Sequence, residues 1–411
     1  MSVRTLFHGG NVFDGSGADP ARGDVVVSDG RVVDVGVGLD GDESVDCTGQ
    51  TILPGLFDCH VHVTMTGIDV MKRLARPFSY QFYEAALNLQ ATLATGITTV
   101  RDAAGADLGI QQAVTDGLIA GPRMHISINA LSQTGGHLDG WMPSGDCLLP
   151  FQPHPGRPNT IVDGPDEMRK MVRELIRAGA NVIKVCTSGG VLSPRDNPHH
   201  GQFRDEELAV LMAEANAAEI PVMAHAQATE GIKSAVRAGI RSIEHGIFLD
   251  DEAIEMMVDA GTWLVPTLVA PLAVLEAAAA GVSLPDAVIQ KAKDVSEEHR
   301  YWFSRAAAAG VKVAMGTDSG VGAHGSNLKE FSLMHEAGMT PKEVLLSATT
   351  SAAELMGLQS ELGSLTPGKR ADLVIVDGDP YELSALRSNI VSVYKDGALA
   401  VSREDANTTV G

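Results

Sequence analysis

From Ile52 onward, short runs rich in β-branched residues alternate with longer, Ala-rich stretches of helical period, and this alternation constrains the fold more than any other feature. Parallel strands need a crossover long enough to hold a helix, so a repeated strand–helix grammar specifies a parallel sheet. Eight strand candidates fall at residues 57–62, 98–101, 124–128, 182–185, 222–225, 242–245, 263–267 and 312–318. Helical stretches at 166–178, 205–218, 229–238 and 251–260 separate several of them. Eight such units predict a (β/α)8 barrel of the triosephosphate isomerase type, in which catalytic groups sit at the C-terminal ends of the strands.

Outside that region the grammar is different. Residues 5–51 read as hairpins, with apolar runs such as Val25-Val26-Val27 broken by Gly and Asp turns, and the same pattern returns after Leu365. The two ends are expected to pair into one small β-sandwich domain, giving segments 1–53 and 359–411 around a barrel at 54–358. A chain of 411 residues can bury the core that this organisation requires.

Charge and targeting signals narrow the partners. Asp and Glu outnumber Lys and Arg by 52 to 31 and no basic run appears, so nucleic acid is excluded and a small-molecule substrate is expected. No apolar run approaches the ~20 residues that span a bilayer, so no membrane partner is expected. The start Met1-Ser2-Val3-Arg4 lacks the pattern of a secretory signal. Cys47, Cys59, Cys147 and Cys186 form no CxxC pair and read as reduced packing residues of a cytoplasmic protein. The expected assembly is a homo-oligomer.

The polar residues that close the strands carry the chemistry. Strand one ends His60-Val61-His62, and alternation along a strand sends both imidazoles to one side, where they can share an ion. Strand five ends at His225, strand six at His245, and strand eight delivers Asp318 into a Gly-rich loop. Each histidine alone is as well explained as a satisfied core or cap residue. A carboxylate at a barrel rim, however, is costly unless it meets a cation. Lys184 lies inside the apolar run Val182-Ile183-Lys184-Val185, where an unpartnered ammonium carries a heavy desolvation cost. It is either half of a buried salt bridge or a deprotonated amine serving metals.

The string Pro54-Gly55-Leu56-Phe57-Asp58-Cys59-His60-Val61-His62, together with Lys184, His225, Glu244-His245-Gly246, Gly316-Thr317-Asp318 and the closing Gly363 to Leu373 segment, resembles the amidohydrolase superfamily across essentially the whole chain. Ser132-Gln133-Thr134-Gly135-Gly136-His137 and the order of the ligands resemble most the Xaa-Pro dipeptidase and carboxypeptidase group, which includes ochratoxin- and phenylurea-hydrolysing relatives.

The resemblance implies two divalent metal ions, with zinc expected from the imidazole and oxygen donors. Lys184 would be carboxylated to a carbamate that bridges them. One ion would take His60, His62, Lys184 and Asp318, and the other Lys184, His225 and His245. Ions about 3.5–4 Å apart would activate a bridging water. Asp318 would accept its proton and return it to the leaving amine. His137 would assist in polarising the substrate carbonyl. On its residues alone, though, the Gly135-Gly136-His137 stretch is equally a flexible loop with a surface histidine.

Gln227 stands where many relatives carry tyrosine or histidine; it can hydrogen-bond substrate but cannot act as a phenol or imidazole, which puts dipeptidase activity in doubt. Leu138 replaces a common glycine and narrows the neighbouring pocket. Residues 194–201, with His199 and His200, read as a loop over the site, and residues 285–309 read as barrel-covering packing.

The expected activity is hydrolysis of an amide C–N bond in a dipeptide, an N-acyl amino acid or a related amide or urea. A lactonase or phosphotriesterase could use the same bimetal set. A deaminase would use one ion and would not need Lys184, and a scaffold without catalysis would have lost ligands that this chain retains.

Overall fold

The structure, a computed structural model, describes residues 2–193 and 195–403. Pro194, at the head of the 194–201 loop, and positions 404–411 of the C-terminal segment lie outside the described residues.

The strand–helix grammar produces a (β/α)8 barrel. Its strands are Leu56–Val61, Ile97–Asp102, Arg123–Ile126, Ile183–Cys186, Val222–Ala226, Ser242–His245, Trp263–Val265 and Lys312–Val313, referred to below as strands one to eight. Neighbours pair in parallel from one to three and from four to eight. Residues of strands one and two are buried throughout, as expected where helices cover one face and the barrel interior the other. Between strands the helices carry their own stop signals: Gly239 and Gly261 take left-handed conformations after Thr229–Ala238 and Asp251–Ala260.

Two strands differ from expectation. Residues 124–128 do not run as one strand, because Ile128 turns to φ 68°; the chain resumes at Ala130–Leu131, which pairs with strand four and keeps the wall continuous. Strand eight is regular only over Lys312–Val313, not to Asp318. Beyond it the backbone bears directly on strand one, where a Cβ at Gly316 would lie 3.0 Å from His60 Cβ. The Cys59 amide donates to the Met315 carbonyl at 2.9 Å and the Asp318 amide to the His60 carbonyl at 2.8 Å, which closes the barrel.

The chain ends build the β-sandwich domain. Strands Thr5–Val12, Ala21–Ser28, Arg31–Gly36 and Gln50–Pro54 share one sheet with Leu373–Asp377, Ile390–Lys395 and Ala398–Ser402. Thr5–Val12 has Ala21–Ser28 on one edge and both Glu43–Asp46 and Gln50–Pro54 on the other, so the sheet folds over its own core. Phe7, Val25 and Ile52 from the first end meet Leu373 and Ile375 from the second. Arg123 of strand three fastens this domain to the barrel, donating to Asp372 at 2.9 Å and to Asp396 at 3.0 Å.

Two helices, Val269–Ala279 and Asp286–Ala308, intervene between strands seven and eight. The buried stripe of the second is Val288, Ala292, Val295, His299, Phe303 and Ala306, at helical spacing. Burying Phe303 fully contributes on the order of 1.5–3 kcal/mol. This segment does more than the packing expected of it, since it also supplies polar groups to the strand ends. Of the cysteines, Cys47, Cys59 and Cys186 are buried, but Cys147 is exposed and packs nothing, contrary to expectation. Among the described residues no helix is long and apolar enough to cross a membrane.

Candidate metal centre

The four strand-end histidines converge. The ring centroids of His60 lie 5.4 Å from His62 and 5.1 Å from His245, and those of His225 and His245 are 4.7 Å apart. Each ring has one nitrogen committed to a neighbour. His60 Nδ1 donates to Glu244 Oε2 at 2.7 Å, and His62 Nδ1 donates to the Ala104 carbonyl at 2.8 Å. His245 Nδ1 lies 2.7 Å from Thr267 Oγ1, and His225 Nε2 donates to the Gly189 carbonyl at 3.2 Å.

A carboxylate or carbonyl oxygen only accepts, so in the neutral rings the hydrogen sits on the committed nitrogen and the other is a lone pair. The lone-pair atoms are Nε2 of His60 and His62 and Nδ1 of His225, and a hydrogen on Nδ1 of His245 leaves its Nε2 in the same state. Burial holds the pKa of His60, His225 and His245 well below the usual imidazole value, with nearby Lys184 adding to the effect in each.

Asp318 and Lys184 face those lone pairs. Asp318 Oδ1 lies 3.5 Å from His60 Nε2 and 3.1 Å from His62 Nε2, yet has no hydrogen-bond partner. The ligand atoms of this trio all fall within 4.8 Å of one another. Lone pairs aimed at a carboxylate oxygen repel unless a positive charge lies between them. Burial opposes charge on His62, but the Asp318 carboxylate 3.1 Å from its Nε2 outweighs that and raises the pKa, so the pocket favours a positive charge. Lys184 Nζ is buried without a hydrogen-bond partner, and burial pulls its pKa below the ordinary lysine value. The orphaned Asp318 Oδ1 and Lys184 Nζ and the inward lone pairs fit divalent cations with nitrogen and oxygen ligands. His245 at φ 72° and Asp318 at φ 58° hold left-handed conformations unusual for such residues, local strain of the kind stored at functional sites.

Sequence reading missed the groups that aim these ligands. Glu244 accepts from His60, from Arg101 Nη2 at 2.9 Å and from Ser242 Oγ at 2.6 Å, inside the barrel. Asp58, noticed only as part of a motif, accepts from Thr317 and Asn327 and so fixes the turn into Asp318. His299 donates to the His245 carbonyl at 2.9 Å, and burial lowers its pKa to about 4. The signals available were an acid beside two of the ligand runs, Asp58 before His60 and Glu244 before His245, and a histidine within a helical stripe.

A cavity of about 410 Å³ opens above the cluster. Its wall is largely apolar, with Met65, Leu138, Phe151, Ile247 and Val274 among the lining residues. His137 reaches it and is no surface histidine: the ring stacks on His225 with centroids 4.0 Å apart, and Nδ1 lies 3.2 Å from Asp196 Oδ2. Gln227 lines the cavity with Oε1 unpartnered. Of the described residues in the loop expected over the site, only Arg195 lines the cavity; Val191, Leu192 and Ser193, just before it, form more of the rim, and His199 packs on Phe248 instead. Two cations sit on the wall. The Arg195 guanidinium lies over the Trp141 ring, and Arg73 lines the wall with burial alone lowering its pKa.

A sequence profile described as the amidohydrolase family matches residues 51–401. An ochratoxinase of Aspergillus niger is 34% identical over 398 residues, covering 92% of this chain and 82% of that protein. A crystal structure of a Xaa-Pro dipeptidase with bound methionine in its active site superposes with a TM-score of 0.88 at 34% identity, covering 96% of this chain and 99% of that one. A prolidase crystallised with N-methylphosphonate-L-proline gives a TM-score of 0.89 at 36% identity, covering 97% and 100%.

Proposed function

The chain belongs to the amidohydrolase family, and on that premise we propose that it is a binuclear, zinc-dependent hydrolase of amide bonds, acting on a dipeptide, an N-acyl amino acid or a related amide. The observation that carries this is the set of inward imidazole lone pairs around the unpartnered Lys184 Nζ and Asp318 Oδ1, at the floor of an apolar cavity.

His60, His62 and Asp318 would hold one ion and His225 and His245 the other, with Lys184, carboxylated by carbon dioxide, between them. Bound there, the ions lower the pKa of water and polarise a carbonyl. The protein's own groups do the rest. Asp318 takes the proton of the attacking water and passes it to the departing nitrogen. His137 presents Nε2 to the cavity, where its imidazolium N–H meets the substrate carbonyl oxygen or a terminal carboxylate. Arg73 suits a substrate carboxylate, and the apolar wall suits a bulky acyl or side-chain group. Gln227 offers an amide for hydrogen bonding. The name of the Xaa-Pro dipeptidase neighbour supports a dipeptide, and that of the ochratoxinase relative supports a larger amide. The free thiols of the four cysteines suit a reducing, cytoplasmic compartment.

Elemental analysis of the metal-replete protein, with a screen of N-acyl amino acids, dipeptides, phenylureas and lactones, tests this reading. Close to two ions per chain and amide turnover are expected. One ion or fewer counts against the bimetal centre, and lactone turnover alone moves the activity to the ester-cleaving alternative. Lys184→Ala should lose activity and regain part of it with a short carboxylic acid. Normal metal content without rescue would remove the carbamate role.

A further inference from the structure

The loop after strand four carries an acid that the mechanism above does not use. Asp196 is 3% exposed on its side chain, and its Oδ2 accepts from His137 Nδ1 at 3.2 Å and from the Gly190 amide at 3.0 Å. Its other oxygen, Oδ1, has no hydrogen-bond partner and lies 3.6 Å from the ammonium of Lys291. That lysine, on the helix Asp286–Ala308, donates to three backbone carbonyls of the same loop: Gly190 at 3.2 Å, Ser193 at 2.9 Å and Asp196 at 2.7 Å. A long side chain gives up rotamer freedom to hold such a geometry, and with three bonds and a counter-charge the loop is fixed from behind.

From this geometry we infer that Asp196 is the positioning residue for His137, and that Lys291 is the anchor that keeps Asp196 in place. A carboxylate only accepts, so a hydrogen of His137 must lie on Nδ1, and Nε2, the atom turned to the cavity, carries the second hydrogen of the imidazolium that meets substrate. The stack on His225 fixes the plane of the ring, and the bond to Asp196 fixes its rotation within that plane. Gly190 makes the arrangement possible, since a Cβ there would lie 2.2 Å from His137 Cε1 and 2.9 Å from His225 Nε2. The arrangement matches the outer partners that orient metal-binding histidines, applied here to a substrate-facing one. It also explains why a helix inserted between strands seven and eight reaches across to a loop that follows strand four. The inference rests on the proposal that His137 meets the substrate.

Asp196→Ala is the discriminating variant. It removes the single oxygen that accepts from both His137 and the Gly190 amide, while the three bonds from Lys291 to the backbone carbonyls of Gly190, Ser193 and residue 196 still hold the loop. On an amide found by the screen, kcat should fall about 10–100-fold, the cost of losing an orienting partner, while KM and metal content change little. In a His137→Ala background the same substitution should cost nothing further. Equal losses in both backgrounds would mean that Asp196 serves only the loop and would overturn the inference, as would wild-type kcat in the single variant. Wild-type kcat in His137→Ala alone would instead refute the role given to His137. A measurement independent of turnover is the ring nitrogen shift of His137 in ¹⁵N-histidine-labelled protein. Hydrogen held on Nδ1 in the wild type and no longer confined there in the Ala variant is expected, and a wild-type ring protonated only on Nε2 sinks the proposal.

Discussion

Gly190→Ala offers a sharp steric test of the site. Gly190 does not have a positive φ, so alanine brings no backbone strain and removes some freedom from the unfolded chain. Its Cβ, however, would fall 2.2 Å from His137 Cε1 and 2.6 Å from Nδ1, against the 3.4 Å at which ordinary contact begins. The His137 ring must therefore retreat by about 3.4 − 2.2 = 1.2 Å, whereas His225 Nε2, at 2.9 Å, needs only about 3.4 − 2.9 = 0.5 Å. A misplacement of about 1 Å in a group that contacts substrate costs on the order of 10²-fold in rate. The expectation is a drop in kcat/KM of about that size, with two ions still bound and little change in Tm. Steady-state kinetics, elemental analysis and thermal unfolding of the same preparation give the three readings. Activity within about threefold of wild type, with the alanine methyl present and His137 still stacked in a crystal structure of the variant, would refute the contribution of His137.

Three other substitutions probe separate parts of the site. Glu244→Gln removes the charge that accepts from both His60 and Arg101, and should weaken metal binding about 10–100-fold in a chelator competition; unchanged affinity would mean that His60 needs no orienting partner. Asp318→Asn should lower kcat about 10²–10⁴-fold on an amide and less on a matched activated ester, because only the amine leaving group needs a proton; equal losses would confine Asp318 to water activation or metal binding. Arg73→Met should raise KM about 10–100-fold for substrates with a free carboxylate and leave their methyl esters nearly unaffected, as measured by paired KM determinations; parallel changes would place the carboxylate elsewhere.

The parts of this molecule that were legible in sequence are those set by short-range pattern. Alternation along strand one puts His60 and His62 on one side, and an apolar run around Lys184 makes its burial evident before any coordinates. The switch from hairpin to strand–helix grammar near Ile52 falls between Gln50–Pro54, in the sandwich, and Leu56–Val61, in the barrel. What was hidden depends on contacts between distant residues. Glu244 meets His60 across 184 positions, and Asp196 meets His137 across 59. No local period links such pairs. The early end of strand eight was unreadable for a related reason: the run to Asp318 has strand composition, but close approach to His60 bends it out of register.

The pairing of Gln50–Pro54 with Leu373–Asp377 bears on how the chain emerges from a ribosome. A strand completed within the first 54 residues must wait for some 320 more before its antiparallel neighbour exists. At about 5–20 residues per second, that leaves a hydrophobic edge bearing Ile52 and Leu53 open for tens of seconds while the barrel assembles beside it. Growing chains that stall anywhere before position 373 would share this sticky edge, so holding it covered during synthesis is a natural task for a ribosome-associated chaperone.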